Sequence, residues 1–198
     1  MKLKSTTFEF GGKIPSRCAY GQYEPTVQDS VTAENRNPQL SWSEVPEGTQ
    51  SFVLACLDDD VPTQFNERDQ QDEIPVTQSR RRFVHWIQIN VGCDVRELPE
   101  GALLDKLVPG WGRPGVNDYS RGQVVQMGEV GTGYDGPCPP VCDARWHGYR
   151  FIVIALDIPT LDVKEYFTWT DALMAMEGHI LATAEWVGFY SQNPRLMA

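Results

Sequence analysis

The sequence reads SFVLACLDDDVP over residues 51–62, a nearly continuous apolar run that closes on three aspartates. A run this continuous indicates a strand at the centre of a sheet rather than one at its surface. Two other runs have the same character: FVHWIQI over residues 83–89, and YRFIVIAL over residues 149–156, which is rich in β-branched residues. Together these runs predict a sheet with buried central strands.

Shorter segments surround these runs. Residues 3–10 are strand-like, and residues 38–42 enter a second short strand. Residues 170–176 begin with a Thr-Asp pair suited to capping and predict a helix. Residues 179–186 look helical again, and residues 188–190 suggest a last short strand. Because strands come first and helices last, the sequence predicts a mainly β (α+β) fold rather than a wound βαβ sheet.

Size and composition predict one soluble domain over residues 1–198, with 41% hydrophobic and 22% charged residues. The net charge of −10 argues against nucleic acid and anionic membranes, since basic patches supply affinity for both. No apolar stretch approaches the ~20 residues that span a bilayer. The first residues lack the apolar core of a signal peptide, which favours a cytoplasmic location. The five cysteines, an odd number, then indicate reduced thiols.

Three titratable residues lie inside or at the ends of the apolar runs: Asp58, His85 and His147. An unpaired polar group inside a protein is costly, so we expect these side chains to share one pocket. Such a pocket suits a small anion, with the imidazoles donating hydrogen bonds and Asp58 holding their charge and orientation. The same residues also fit a metal site with two histidines and one carboxylate, an acid–base site, or three satisfied core groups.

Other polar features leave alternatives open. Cys138, Cys142 and His147 are candidate zinc ligands, since the two cysteines have the close spacing of such sites. A second close pair is missing, however, and His179 would have to supply the fourth ligand from a distant element. His179 itself is predicted to be a packing residue on the second helix. The polar residues 63–82 predict an exposed loop or a mobile flap. The arginines at 80–82 are either a solvated charge run or an attraction for an anionic ligand at the rim.

Several motifs, taken in order, resemble the phosphatidylethanolamine-binding protein family, also called Raf-kinase-inhibitor-like proteins. They are D-x-D-x-P at residues 58–62, the strand histidine His85, G-P-x-P-P at 136–140 and H-x-Y at 147–149. Further blocks cover nearly the whole chain and fit the bacterial branch of the family: residues 37–42, 45–48, 51–52, 98–101, 133–140 and 178–182.

The resemblance implies a large central antiparallel sheet, a second smaller sheet and flanking C-terminal helices. It also implies a surface cavity for phosphate-like anions or phospholipid head groups. The residues that match the family's ligand-binding motifs are Asp58, Asp60, Pro62, His85, Gly136, Pro139 and His147. One departure is Gly148, because the family usually has an arginine between the histidine and the tyrosine. An ion pair is then either lost or supplied by Arg145 or Arg150.

We therefore predict a non-enzymatic, cytoplasmic protein that binds small anions or phosphate-containing head groups, with a kinase-inhibitor-like regulatory role open. We expect no metal and no cofactor, and the sequence has no P-loop and no G-x-S-x-G elbow. A protein partner and a homodimer remain open. Two other functions compete: a metal-dependent or acid–base enzyme that uses Asp58, His85 and His147, and an interaction module that acts through residues 63–82. A shared fold alone does not decide between them.

Overall fold

The structure, a computed structural model, describes residues 1–64, 73–105, 110–120 and 132–197 and consists mainly of strands. The strands are β1 (Lys2–Lys4), β2 (Gly21–Glu24), β3 (Asp29–Thr32), β4 (Leu40–Ser43), β5 (Ser51–Pro62), β6 (Arg80–Gly92), β7 (Glu97–Leu98), β8 (Arg113–Pro114), β9 (His147–Leu156) and β10 (Ile180–Tyr190). The α-helices are α1 (Trp169–Met176) and α2 (Pro194–Met197), and short 3-10 turns occur at Ser16–Cys18, Ala102–Asp105 and Asp118–Ser120.

The strands form one large sheet and smaller ones. The large sheet has five antiparallel strands in the order β10-β9-β5-β6-β8. A second sheet has the order β1-β4-β7, and β2 pairs with β3 in a two-stranded ribbon. The predicted mainly β fold, with a large central antiparallel sheet, a smaller sheet and C-terminal helices, is confirmed. The three apolar runs of the sequence are its adjacent central strands β9, β5 and β6.

Alternation along β5 explains why its sequence is apolar without interruption. Phe52, Leu54 and Cys56 belong to a core that β1, β4 and β7 cover, and the residues between them belong to a second core under α1. Successive side chains of a strand point to opposite faces, so a strand buried on both faces needs apolar residues at every position. Asp58 continues the first of these series and therefore reaches the end of the first core.

Two local predictions are wrong. Residues 179–186 are not helical, because β10 runs from Ile180 to Tyr190 and pairs with β9 along nearly its whole length. The free edge of β9 offers a row of backbone hydrogen bonds, and this pairing outweighs the helical propensity of the alanine-rich segment. The strand predicted at residues 3–10 is also shorter, since β1 ends at Lys4. The helix predicted at 170–176 is confirmed, but it begins at Trp169, and its N-cap is Thr168, in a capping box with Asp171, rather than Thr170.

Part of the predicted flap lies outside the described residues, namely 65–72. Its described ends are tied to the rest of the fold. The Thr63 backbone N–H donates to the carbonyl of Ser79, and Ile74 exchanges backbone hydrogen bonds with Cys142 and Ala144. Residues 80–82 are not loop but the start of β6. In the described ranges, no helix is long and apolar enough to cross a membrane.

Candidate functional site

Two β-bulges shape the sheet where the second half of β5 pairs with the first half of β6. In β6 the extra residue is His85, which falls between the partners of Cys56 and Leu57. In β5 the register shifts again at Asp59 and Asp60. A bulge bends its strand and changes the direction of its side chains. The bulge in β6 therefore lets His85 leave the regular alternation and face the same region as Asp58.

Asp58 is the first member of a buried chain of charged groups. Its Oδ2 accepts a 2.7 Å hydrogen bond from Nδ1 of His147, and its Oδ1 accepts one of 2.6 Å from the Asp60 backbone. The other ring nitrogen of His147, Nε2, donates to Asp143 Oδ2 at 3.0 Å. Arg80 then holds both oxygens of Asp143, at 2.5 and 3.0 Å. Both ring nitrogens of His147 thus donate to carboxylates, which requires the imidazolium form.

The pKa of His147 reflects this arrangement. Burial lowers it, but the hydrogen bonds to Asp143 and Asp58 outweigh burial and raise the pKa to about 9. Asp143 shows the complementary effect: burial raises its pKa, and the bonds from His147 and Arg80 bring it below its ordinary value. His147 is therefore cationic near neutral pH, and the chain of two carboxylates and two cations carries no net charge.

His85 lies beside this chain but differs from His147. Its Nδ1 lies 2.8 Å from the backbone carbonyl oxygen of Asp135, and its Nε2 lies 4.0 Å from Asp58 Oδ2. Among the described residues, this buried Nε2 has no hydrogen-bond partner. Burial lowers the pKa of His85, and the nearby Asp58 only partly compensates. Near neutral pH, His85 is therefore neutral while His147 is charged.

A cavity of about 610 Å³ opens beside these groups. Its aromatic walls include Tyr119 and Tyr149, whose rings meet His85 edge-on with centroids 5.5 and 5.1 Å away. The Tyr149 hydroxyl is also buried and lacks a hydrogen-bond partner within the described ranges. Burial raises its pKa well above the ordinary value, so it stays protonated and able to donate. Arg81 lies at the cavity wall, stacked on Phe83.

The cavity brings together five of the seven predicted site residues: Asp58, Pro62, His85, Pro139 and His147. Asp60 and Gly136 are not among the described residues that line it. A Cβ on Gly136 would lie 2.1 Å from the backbone oxygen of Cys18, so only glycine fits this crossing of two loops. The part that any of these residues plays in binding stays a prediction.

The contacts of Asp60 show which arginine supplies an ion pair in place of the one that Gly148 cannot form. One oxygen of Asp60 accepts from the Gly148 backbone N–H at 2.8 Å, and the other pairs with Arg145 at 2.9 Å. Arg150 instead bridges Asp59 and Glu185. Arg145 thus supplies an ion pair to the second aspartate of the D-x-D-x-P block.

Sequence reasoning missed Asp143, Tyr119 and the hydroxyl of Tyr149. Asp143 stands in the loop four residues before His147, and no local sequence pattern predicts that this loop returns against the histidine. Tyr119 likewise has no local signal, since it lies in an isolated 3-10 turn.

The metal alternatives gain no support from residue placement. In the described part of the chain, no group of three or more His, Cys, Asp or Glu residues could hold a metal ion. Cys138 contacts Ser30 and Gln192, and burial raises the pKa of its thiol. His179 lies half-buried in the turn before β10, with Nδ1 2.8 Å from Asp157 Oδ1. Its predicted place on a helix is therefore wrong.

Comparisons with known proteins agree with the fold and the motifs. The family model of phosphatidylethanolamine-binding protein matches residues 4–191. A UPF0098 protein of Methanothermobacter thermautotrophicus is 32% identical over 98% of this chain and all of its own length. UPF0098 protein YbhB of Escherichia coli is 31% identical over 96% of this chain and all of its own. The crystal structure of CT736 from Chlamydia trachomatis superposes with a TM-score of 0.69 at 30% identity, covering 97% of both chains.

Proposed function

Because the chain belongs to the phosphatidylethanolamine-binding protein family, we propose that it binds a small anion of the phosphate class in the cavity beside His85. The observation that carries this proposal is the pair of buried polar atoms at the cavity, His85 Nε2 and Tyr149 Oη, without partners among the described residues. Leaving such atoms unpaired costs about 1–3 kcal/mol each. A ligand that hydrogen-bonds to both would offset that cost.

The proposed roles differ between the two histidines. His147 uses both of its N–H groups on carboxylates, so it positions Asp58 rather than donating to the ligand. Tyr149 donates its hydroxyl proton to an anion oxygen, and Arg81 adds positive charge at the wall. The cavity volume of about 610 Å³ leaves space for a substituent on the anion.

We propose that this binding is not followed by catalysis. Acid–base catalysis by His147 is disfavoured because carboxylates hold both of its N–H groups. Nucleophilic work by Cys138 needs a thiolate, which its raised pKa disfavours. A regulatory role through a protein partner and a cytoplasmic location stay predictions.

Tyr149→Phe tests the proposal because it removes a single buried oxygen and little volume. Since that oxygen has no partner in the described protein, the free energy of unfolding should be unchanged or higher. Binding of inorganic phosphate, measured by titration calorimetry, should weaken by roughly 2- to 10-fold, the effect of one hydrogen bond. Tyr166→Phe, at an exposed position, is the matched control. Phosphate affinity that is equal in wild type and Tyr149→Phe would exclude this oxygen from the site.

A further inference from the structure

The hydrogen bonds of His85 fix which of its nitrogens carries the proton. Nδ1 faces the carbonyl oxygen of Asp135, and a carbonyl oxygen only accepts, so Nδ1 must be the N–H group. Neutral His85 therefore presents Nε2 as a lone pair. The atom left for a ligand at this position is an acceptor, not a donor.

A second acceptor lies next to it. Asp58 Oδ2 is 4.0 Å from His85 Nε2, and both residues line the cavity. Two acceptors this close attract a ligand atom that brings a hydrogen between them. An oxyanion without a hydrogen would face two lone pairs, which is unfavourable in a buried site.

The charges along the cavity also favour a ligand with low negative charge. In the described part of the chain, the charged side chains that line it are the carboxylates Asp58 and Asp118 and the cations Arg81 and His147. The two negative and two positive charges balance, and the positive charge of His147 is already paired with its two carboxylate partners. A dianion would find no unpaired buried cation here, so a monoanion fits better.

Resting on the proposed function, we propose that the cavity selects phosphomonoesters in their singly protonated form over phosphodiesters. The P–OH of a monoester monoanion donates to the His85–Asp58 acceptor pair, and another phosphate oxygen accepts from Tyr149. A phosphodiester, such as the head group within a phospholipid, has one negative charge but no P–OH. It binds well only when His85 takes up a proton and turns Nε2 into a donor.

His85 is the group whose protonation matters, and its neighbours come from several elements. Asp58 faces it from β5, His147 and Tyr149 from β9, Tyr119 from the adjoining 3-10 turn, and the Asp135 carbonyl from the loop before β9. Tyr119 and Tyr149 keep their protons because burial raises the pKa of both. His85 therefore changes its charge before these hydroxyls do as the pH rises.

The test compares two soluble ligands that share ethanolamine: phosphoethanolamine, a monoester, and glycerophosphoethanolamine, a diester. At pH ~6.5, near the second phosphate pKa of about 6, the monoester should bind at least about 10-fold more tightly. Inorganic phosphate should bind more tightly than sulfate, which has no proton at this pH, by a similar factor. Acidification should narrow both differences as His85 becomes charged. Calorimetry at pH ~7.5 in buffers of different ionisation enthalpy should show uptake of about one proton per monoester bound.

His85→Gln gives an independent check, because an amide near the position of Nε2 can donate without being protonated. In this variant the preference for monoester over diester should fall to within about threefold. His179→Gln is the matched control, since half-buried His179 lies beside the opposite end of β9 from His147, and it should keep the full preference. If His85→Gln does not fold, the proton uptake of the wild type decides alone.

Two results would overturn the inference in distinguishable ways. Equal affinity for monoester and diester, with no proton uptake, would refute protonation-state selectivity and leave the proposed function standing. No binding of any of the four anions between pH ~5 and ~7.5 would overturn the proposed function and this inference with it.

Discussion

Raising the pH should destabilise the protein through His147, and the structure sets the size of the effect. The ring is completely buried and donates to Asp58 and Asp143, and its pKa is about 9 against 6.5 for an ordinary histidine. A group whose pKa is higher in the folded than in the unfolded chain stabilises the fold when protonated. This contribution is fully present below pH ~6.5 and is lost as the pH rises through ~9. Its magnitude is about 3 kcal/mol.

The assay is urea denaturation of wild type and His147→Gln at pH ~6 and pH ~10. Other groups also titrate in this range, such as the buried thiols of Cys18 and Cys56, whose pKa values burial raises. They act equally in both proteins, so the difference in free energy of unfolding isolates His147. The stability advantage of wild type over variant should shrink by about 3 kcal/mol between the two pH values. His179→Gln, which removes a histidine whose side chain is 42% exposed, is the control and should show no comparable change.

A constant difference between wild type and His147→Gln across this range would refute the reasoning. It would mean that the pKa of His147 is the same in the folded and the unfolded chain. The contacts with Asp58 and Asp143 require a higher pKa in the folded chain. The two carboxylates would then have to share a proton of their own rather than hold an imidazolium.

Two further predictions compare matched pairs of residues. In denaturant titration, Arg80→Ala should destabilise the protein by about 3–5 kcal/mol, because it leaves the buried carboxylate of Asp143 with one cation fewer. Arg82→Ala breaks an exposed ion pair and should cost under about 1 kcal/mol. Equal losses would show that burial does not govern these pairs. Gly136→Ala should lower the melting temperature markedly, since its methyl group would overlap a backbone oxygen, while Gly148→Ala meets its nearest atom at 3.3 Å and should be tolerated. Similar melting temperatures for the two glycine variants would contradict the close approach of Gly136 to the backbone of Cys18.

The sequence predicted the central sheet because its signal is local. Residues 51–57, 83–89 and 149–156 are apolar at nearly every position, and burial on both faces of a strand requires that pattern. The convergence of Asp58, His85 and His147 was predictable for a related reason. Polar groups embedded in such strands need partners, and adjacent strands bring them within reach.

Other features depend on contacts that no local pattern encodes. The segment that forms β10 contains alanines and a glutamate, which favour a helix. It is a strand because its backbone pairs with the edge of β9. Asp143 joins the site because the loop before β9 brings it back against His147 and Arg80. The bulge at His85 is likewise a matter of pairing with β5, and the sequence of β6 gives no sign of it.

The two histidines illustrate how surroundings, rather than residue type, determine chemistry. His147 has a carboxylate at each nitrogen, and these partners make the charged ring the stable one despite burial. His85 has a carbonyl at one nitrogen and a cavity beside the other, so burial prevails and the ring stays neutral. Asp58 lies within 4.0 Å of both rings, but of the two it accepts a hydrogen bond only from His147. The charge of Asp58 is paired with that of His147, so at the cavity Asp58 acts mainly as a second hydrogen-bond acceptor beside the lone pair of His85. In the proposed mode of binding, a ligand that occupies the space between these two acceptors therefore brings a proton, or transfers one to His85.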